Sequence, residues 1–384
     1  MKVVVVGAGI IGCSLALSLL ERDHEVTLID PHGIGSGVTG TNYAWINSHK
    51  KHPDSYHAIN ARGVEHWRSV IAPRYPGTVY FNGHVEIAED PEHRSTLISR
   101  LNRLQSLGYE ASWITTDAAR GLVPVNIPDG ADTALFPSEG HAYPLTLVRS
   151  IFTELESKSG FTFLPEAVTE VSGEGPMLTL QAGAQLQGDA IVLCAGNRTS
   201  HLAGTAGAEL PFVSAEPGGA ALGYIGYATA RDHGIERLVT TDEISIRPDG
   251  PDALIFQTLD LDRLAAPGSP ASDETRQEMG LRLKRQLPDH VLEVTRVRVG
   301  ERVIPADGLT VAGRLPVGGS EDSGLWAIST HSGVVLGPWL GDTLAREISG
   351  GPEEHLLGPF RPGRFAAEQK SFPQYAAPRR PGEQ

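Results

Sequence analysis

The stretch MKVVVVGAGIIGCSLALSLLERDHEVTLID (residues 1–30) decides the fold. Val3 to Val6 are four consecutive β-branched residues, the composition of a strand buried on both faces of a parallel sheet. From Gly12 to Arg22 the apolar positions Leu15, Leu19 and Leu20 form a stripe at helical spacing. Glu25 to Ile29 then reads as a second strand that ends at Asp30. A βαβ unit of about 30 residues with Gly7-Ala8-Gly9-Ile10-Ile11-Gly12 at its first turn is built to hold a dinucleotide pyrophosphate. Gly7 permits the tight turn, Gly9 lets the backbone approach the phosphates, and Gly12 lets helix and strand pack closely. The helix N-terminus offers unpaired N–H groups and partial positive charge. Asp30 stands where a carboxylate accepts hydrogen bonds from ribose hydroxyls and repels a 2′-phosphate, which disfavours NADP. The competing reading is a glycine-rich turn without a ligand, with three glycines and an acid coinciding by accident.

The motif alone does not separate NAD from FAD. An NAD domain usually returns quickly to another helix and strand, whereas here PHGIGSGVTGTNYAWIN (31–47) follows. Beyond Pro31, this small-residue loop carries donors at Ser36, Thr39, Thr41 and Asn42, and at Gly37 its backbone is free to approach a flat ligand. That suits a flavin lying beyond its own pyrophosphate; the alternative is a surface loop. Further on, HAYPLTLVRSIFTELESKSG (141–160) reads as a helix, followed by strands that include Val168 and the buried run Ala190 to Cys194, closing on Ala195-Gly196. Val168, Ala195 and Gly196 are candidates for the adenosine end. Near the C-terminus, a strand over Leu325 to Ser329 precedes a helix with apolar Leu336, Leu340, Leu344 and Ile348 spaced by four. Its start, Gly333-Val334-Val335-Leu336, is another place to set partial positive charge against a ligand.

The formal charge of −14 and pI of about 5.4 argue against nucleic acid or an anionic membrane as the main partner, since either rewards a basic face. The two cysteines, Cys13 and Cys194, make no disulfide framework and no CxxC spacing. A reduced, cytoplasmic setting is expected. VVVV is too short for a signal peptide, and no apolar run approaches the roughly 20 residues that span a bilayer. The histidines show no i,i+4 or HxH pattern, so no metal site is expected.

These pieces together resemble the FAD-dependent D-amino acid oxidase and glycine oxidase superfamily, which includes sarcosine oxidases and the small D-amino acid dehydrogenases. The resemblance runs from Val3 to about Phe365. It is most specific at VVVVGAGIIG with Asp30, at GSGVTGTN, and at Gly300-x-Arg302 … Asp307-Gly308 … Gly313 followed by HSGVVLGPWLG. It implies an α/β fold with an α+β substrate part. A Rossmann-like FAD-binding domain of the glutathione-reductase type (1–80, 137–215 and 300–365) would interleave with a mixed-sheet substrate domain (81–136 and 216–299). The chain from Pro359 onward, and 366–384 above all, reads as a flexible tail rich in Pro and Arg. The resemblance further implies oxidation of the C–N bond of an amine or amino acid by hydride transfer to flavin N5, giving an imine, with oxygen or another acceptor taking the electrons onward. The alternatives are a D-amino acid dehydrogenase using a non-oxygen acceptor, or a non-catalytic dinucleotide-binding sensor. The oligomeric state is unreadable.

In that family an arginine at the position of Arg302 pairs with the substrate carboxylate, a task suited to a planar bidentate fork. The alternative is a structural arginine bridging to an acid such as Asp307. The local pattern departs from the family's at Val303 and Thr310. Arg247, two residues beyond Ser245 on one strand face, is a candidate for an acidic or polar substrate tail, against a solvated turn residue. His331, in THSG, would hydrogen-bond the flavin or the substrate, or only fill the turn. Tyr43 and Trp45 are expected in the core, the alternative being a wall of the flavin site, while Tyr224 and Tyr227 are candidates for the substrate side. Sarcosine oxidase relatives attach flavin through a cysteine near the segment holding Arg302; none is present here, which implies non-covalent FAD. They also use a lysine to activate oxygen on the strand that here reads Ala253 to Gln257, without a lysine. Oxygen is therefore expected to be a poor acceptor.

Overall fold

The β-branched run lies within strand β1 (Lys2–Val6), which pairs in parallel with β2 (Glu25–Ile29) on one side and with Ala190–Leu193 on the other. In this computed structural model, which describes residues 1–172, 175–318 and 323–365, the sheet has six strands. Their order is Val311–Arg314, Leu325–Ser329, Ala190–Leu193, β1, β2, Phe161–Leu164; only the Val311–Arg314 edge runs antiparallel. Both faces of β1 are covered, so Val3 and Val5 join one hydrophobic cluster, and Val4 and Val6 another. That is why the strand carries no polar alternation.

Helix α1 (Ile10–Leu20) is buried on nearly every side, beyond the single stripe expected, because it packs against both Pro144–Glu156 and Gly333–Ile348. The close approach to Gly333–Ile348 needs glycine: a Cβ at Gly341 would stand 2.7 Å from Leu15 N and 2.9 Å from the Ser14 carbonyl carbon. A helix not anticipated from the pattern, Asp54–His66, also meets the Gly333–Ile348 helix; a Cβ at its Gly63 would lie 2.7 Å from Val335 O. It continues through a π-helical turn, Trp67–Ile71.

A second, mixed sheet of eight strands has its own hydrophobic cluster. Its order is Val291–Glu301, Leu222–Ala230, Ala253–Gln257, Ser245–Pro248, Leu238–Thr240, His84–Ala88, Asp132–Phe136, Ser112–Ile114. The expected hairpin closes at Pro248-Asp249-Gly250, where Asp249 N donates to Ala253 O and Gly250 takes φ +94°. The expected amphipathic helix is Asp273–Gln286, capped by Ser272 Oγ accepting from Thr275 N.

Pro359 to Phe365 differ from the expected tail: they form 3₁₀ turns that bury Phe360 and Phe365. Arg361 forks onto Glu347, and Arg364 pairs with Asp307. Residues 366–384 lie outside the described residues. No helix among the described residues is long and apolar enough to cross a membrane.

Candidate cofactor and substrate site

Between the C-terminal end of the six-stranded sheet and the eight-stranded sheet runs one cavity of about 1100 Å³. Pockets for drug-sized ligands span about 300–1,000 Å³, so this one has room for a large cofactor and a small substrate together. Gly7, Gly9, Ile10 and Ile11 line it at the start of α1, with Asp30 and Pro31 at the end of β2. Val168, Ala195 and Gly196 line it nearby, and the loop supplies Ser36, Gly37, Thr39, Thr41 and Asn42. Arg302, His331, Gly333, Val334 and Val335 line the opposite part.

The cradle fits an extended dinucleotide. Gly7 adopts φ +108°, and a Cβ there would come within 2.9 Å of Ala195 Cα. Asp30 is held by both oxygens: Oδ2 accepts from Ala8 N at 2.9 Å and Oδ1 from His32 N at 2.9 Å, which fixes the carboxylate at the end of β2. Thr39 Oγ1 accepts from Ile10 N, tying the loop to the helix start. Asn42 donates through Nδ2 to Val38 O and Thr39 O, leaving Oδ1 buried without a partner; Ser329 Oγ is likewise unpartnered. Both residues line the cavity, and buried polar atoms without partners are uncommon unless a ligand satisfies them. Two expected contacts do not line it. Gly12 packs tightly against the Gly7 carbonyl, its anticipated packing role, and Leu336 is wholly buried in the core.

At the opposite end the sheet of eight presents Gly223, Ile225 and Gln257. Tyr224 points to the other face, into that sheet's own cluster, as strand alternation requires. Tyr227 lies on the cavity side of its strand, yet it packs with Tyr43 and Ile255 and under Arg296 instead of lining the space. Tyr43 and Trp45 are buried in a hydrophobic cluster with Ile225 and Ile255, as expected of core residues, and also form part of the wall. Ser245 is buried against Thr240.

The three expected catalytic residues fare differently. Arg302 faces the cavity, but its guanidinium is committed: Nη2 donates to Asp262 Oδ2 at 2.5 Å and Nη1 to Leu222 O at 3.0 Å and Ala220 O at 3.2 Å. Asp262, not Asp307, is the acid. Arg247 does not reach the cavity. It is buried beneath the wall, donating through Nε to Tyr43 O at 2.7 Å and through Nη1 to Pro248 O at 2.7 Å. A substrate tail is out of its reach in this geometry, and its contacts position Tyr43. His331 lines the cavity and keeps exposed surface. Burial within the protein, with Lys51 and Arg302 adding positive charge, pushes its imidazole down to about 3. The ring is therefore neutral, a hydrogen-bonding group and not a charge.

Two cations went unanticipated. Lys50 and Lys51 line the cavity from the segment after Trp45. The signal was a Lys-Lys pair in a chain with only six lysines. Lys50 places Nζ 5.1 Å from the Trp45 ring centroid and 3.4 Å from buried Glu86. Behind it lies a polar core assembled from distant segments. Glu139 accepts from Trp45 Nε1 and Tyr109 OH at 2.8 Å each and pairs with His49. His84 Nδ1 stands 3.5 Å from the same carboxylate. Burial would raise this carboxyl, but His49 and His84 outweigh it and hold it down to about 2. His49, His84 and Glu139 bring possible metal-ligand atoms within 4.8 Å of one another, a grouping invisible to linear spacing. The carboxylate's oxygens are occupied by these donors, and the arrangement is read as a hydrogen-bonded hub.

The family model described as DAO, FAD dependent oxidoreductase, matches residues 2–347. The chain is 25% identical over 229 residues to the 4-methylaminobutanoate oxidase (formaldehyde-forming) of Paenarthrobacter nicotinovorans, covering 56% of this chain and 27% of that protein. It is 29% identical over 136 residues to the tRNA 5-methylaminomethyl-2-thiouridine biosynthesis bifunctional protein MnmC of Ralstonia nicotianae, covering 33% of this chain and 20% of the relative. These matches thus span about a fifth to a quarter of the curated relatives' length. Among solved structures, glycine oxidase from Geobacillus kaustophilus aligns with a TM-score of 0.79 at 18% identity, over 94% of this chain and 98% of that one. L-proline dehydrogenase from P. horikoshii aligns at 0.78 and 19% identity, over 95% and 97%. Likeness at such identity is one of fold. The family match covers nearly the whole chain, and the cavity carries a dinucleotide cradle at one end and cations at the other: the chain belongs to the DAO family of FAD-dependent oxidoreductases.

Proposed function

We propose that the protein oxidises the C–N bond of an amine or amino acid, giving an imine that water then hydrolyses. The observation that carries this reading is one continuous cavity joining the Gly7–Gly9 cradle to a wall bearing Arg302, Lys51 and Lys50. The match to a curated 4-methylaminobutanoate oxidase and the fold shared with glycine oxidase support it. Segments 1–80, 137–215 and 300–365 would hold the cofactor, and 81–136 with 216–299 would cover the substrate. FAD, held by the Gly7–Gly9 cradle and the Ser36–Asn42 loop, would supply the two-electron acceptor for this oxidation. The N-terminus of Gly333–Ile348 directs backbone N–H groups and partial positive charge at the cavity, where they favour negative charge without reorganising. Neutral His331 accepts or donates one hydrogen bond there. Arg302 and Lys51 provide the positive field that draws a substrate carboxylate. Cys194, the cysteine that lines the cavity, has its thiol pushed up by burial and offers little thiolate for a covalent link, which supports non-covalent FAD, the alternative being a histidyl link.

Anaerobic mixing of the holoenzyme with a panel of amines and amino acids tests the reading. The expected result is bleaching of the flavin's visible absorbance by at least one of them; if none bleaches it, the proposal fails and a non-catalytic binding role replaces it. Admitting air to the reduced enzyme and measuring peroxide then tells oxidase from dehydrogenase.

A further inference from the structure

We propose that Lys50, Glu86, His93 and Asp242 form a proton path from the cavity to the surface, with Lys50 as the base that deprotonates the substrate ammonium. The proposal rests on the amine-oxidation reading for its substrate, but its geometry stands on the chain alone. Lys50 lines the cavity with its side chain only 3% exposed, and its Nζ lies 3.4 Å from Glu86 Oε1. The same oxygen is 2.8 Å from His93 Nε2, and His93 Nδ1 is 2.6 Å from Asp242 Oδ1. Glu86 is wholly buried and His93 almost so, while the Asp242 side chain is 24% exposed; the path begins at the cavity and ends in water. Every link joins groups able to give and accept a proton, and no link exceeds 3.4 Å.

An amine gives up hydride from its carbon only when its nitrogen lone pair is free, so an ammonium substrate must first lose a proton. Neutral Lys50 takes it: the substrate N–H bond breaks, an Nζ–H bond forms, and the positive charge moves from substrate to lysine. No electrons leave the substrate in this step. Protonated Lys50 then gives its extra proton to ionised Glu86 Oε1, breaking Nζ–H and forming O–H; that same proton moves on to His93 Nε2, restoring the carboxylate, and the proton on Nδ1 leaves through Asp242. Burial pushes Lys50 down to about 7, and Arg100 assists, against Glu86 and Glu139, which oppose the shift. These groups face Lys50 from the strand His84–Ala88, the helix Pro91–Ser106 and the segment before Gly140; His49 and Lys51 flank it in sequence. An ordinary lysine, near 10.4, would be almost wholly protonated at neutral pH and useless as a base. Arg100 Nη1, 2.7 Å from Glu86 Oε2, keeps the buried carboxylate ionised and ready to accept.

The test has two arms. In the first, protein labelled with ¹³C at lysine Cε is titrated by NMR; only six lysines contribute, and the signal absent in Lys50→Met is assigned to Lys50. A midpoint near neutrality that moves in His93→Gln is expected; a midpoint near the ordinary lysine value, unmoved by His93→Gln, overturns the path whatever the substrate. In the second, anaerobic reduction of the holoenzyme is followed together with proton release to an indicator dye. Lys50→Met and Lys50→Arg are both expected to slow reduction about 100-fold at neutral pH, recovering as rising pH deprotonates the amine in solution. His93→Gln and Asp242→Asn are expected to delay proton release while substrate affinity stays unchanged. A wild-type pH profile in Lys50→Met, or full rescue by Lys50→Arg, would show a fixed charge or a structural role and overturn the proposal. If no amine bleaches the flavin, the substrate reading fails and the NMR arm alone decides the path.

Discussion

Arg302 shows how far one residue's identity constrains its role. Its position argued for a carboxylate partner, and the structure supplies one inside the protein, Asp262, which is 1% exposed and also accepts from Tyr224 N. A substrate carboxylate would meet the guanidinium's charge, not an empty fork. Arg302→Ala therefore has two expected effects. Stability falls by about 3–5 kcal/mol, because Asp262 is left charged and buried without its cation. KM for a carboxylate-bearing substrate rises about tenfold or more while FAD stays bound, as loss of a charged hydrogen bond predicts. Chemical denaturation and steady-state kinetics measure the two separately, and Asp262→Asn added to Arg302→Ala should recover much of the stability without recovering KM. Unchanged KM in the single variant would remove Arg302 from substrate binding. The neighbouring cations Lys50 and Lys51 were legible only as a lysine pair in a lysine-poor chain. Nothing in that pair says that it faces a cavity, since facing depends on where the chain turns after Trp45.

Among the elements, three helices converge on the cofactor end of the cavity, and glycine sets the distances between them. Gly341 and Gly333 lie on one helix yet differ in kind. A Cβ at Gly341 would meet the backbone of α1 at 2.7 Å, whereas one at Gly333 would find nothing within 4 Å. For Gly341→Ala, overpacking of about 1–3 kcal/mol outweighs the roughly 0.5–1 kcal/mol gained in helix propensity, so the apo protein should lose stability. For Gly333→Ala only the propensity term remains, and the apo protein should be as stable or slightly more so. FAD affinity should nevertheless fall, since the added methyl projects toward the cavity. Thermal melts with and without FAD, with a fluorescence titration of the cofactor, distinguish the two; equal FAD affinity in Gly333→Ala would place the cofactor away from that helix start. The helical and strand periods of these elements were legible because each buries a contiguous apolar set. The Asp54–His66 helix was not legible because its buried face is interrupted by His57, Asn60 and Gly63.

On the scale of the whole molecule, burial of uncharged histidines links folding to pH. His141 is 2% exposed, and burial beside Arg247 pushes its imidazole down to about 3. Its folded value lies below the unfolded one near 6.5, so between these values the unfolded chain binds a proton that the folded chain does not. The contribution is complete above about pH 6.5 and is lost as pH falls toward 3, at about 1.4 kcal/mol per pH unit. His93 has the opposite sign: hydrogen bonds to Asp242 and Glu86 overcome the burial that would lower it, and raise it, so its contribution is lost as pH rises. His141→Phe should flatten the acid side of the stability curve by about that slope between pH 6 and 4, read from urea unfolding at each pH; an unchanged slope would mean that His141 titrates normally.

The amino-acid sequence by itself determined the βαβ unit, its glycine turn, the second hairpin sheet and most of the residues that line the cavity around that turn, because each of these is written in local periodicity, glycine placement and chain order. Only the tertiary structure decided which charges meet. Asp262 reaches Arg302 across forty residues, Arg247 turns under Tyr43, and Lys50, Glu86, His93 and Asp242 align although they come from three separate segments. Ion pairs and proton paths depend on distances of a few ångströms between side chains far apart in sequence, and packing of the two sheets sets those distances.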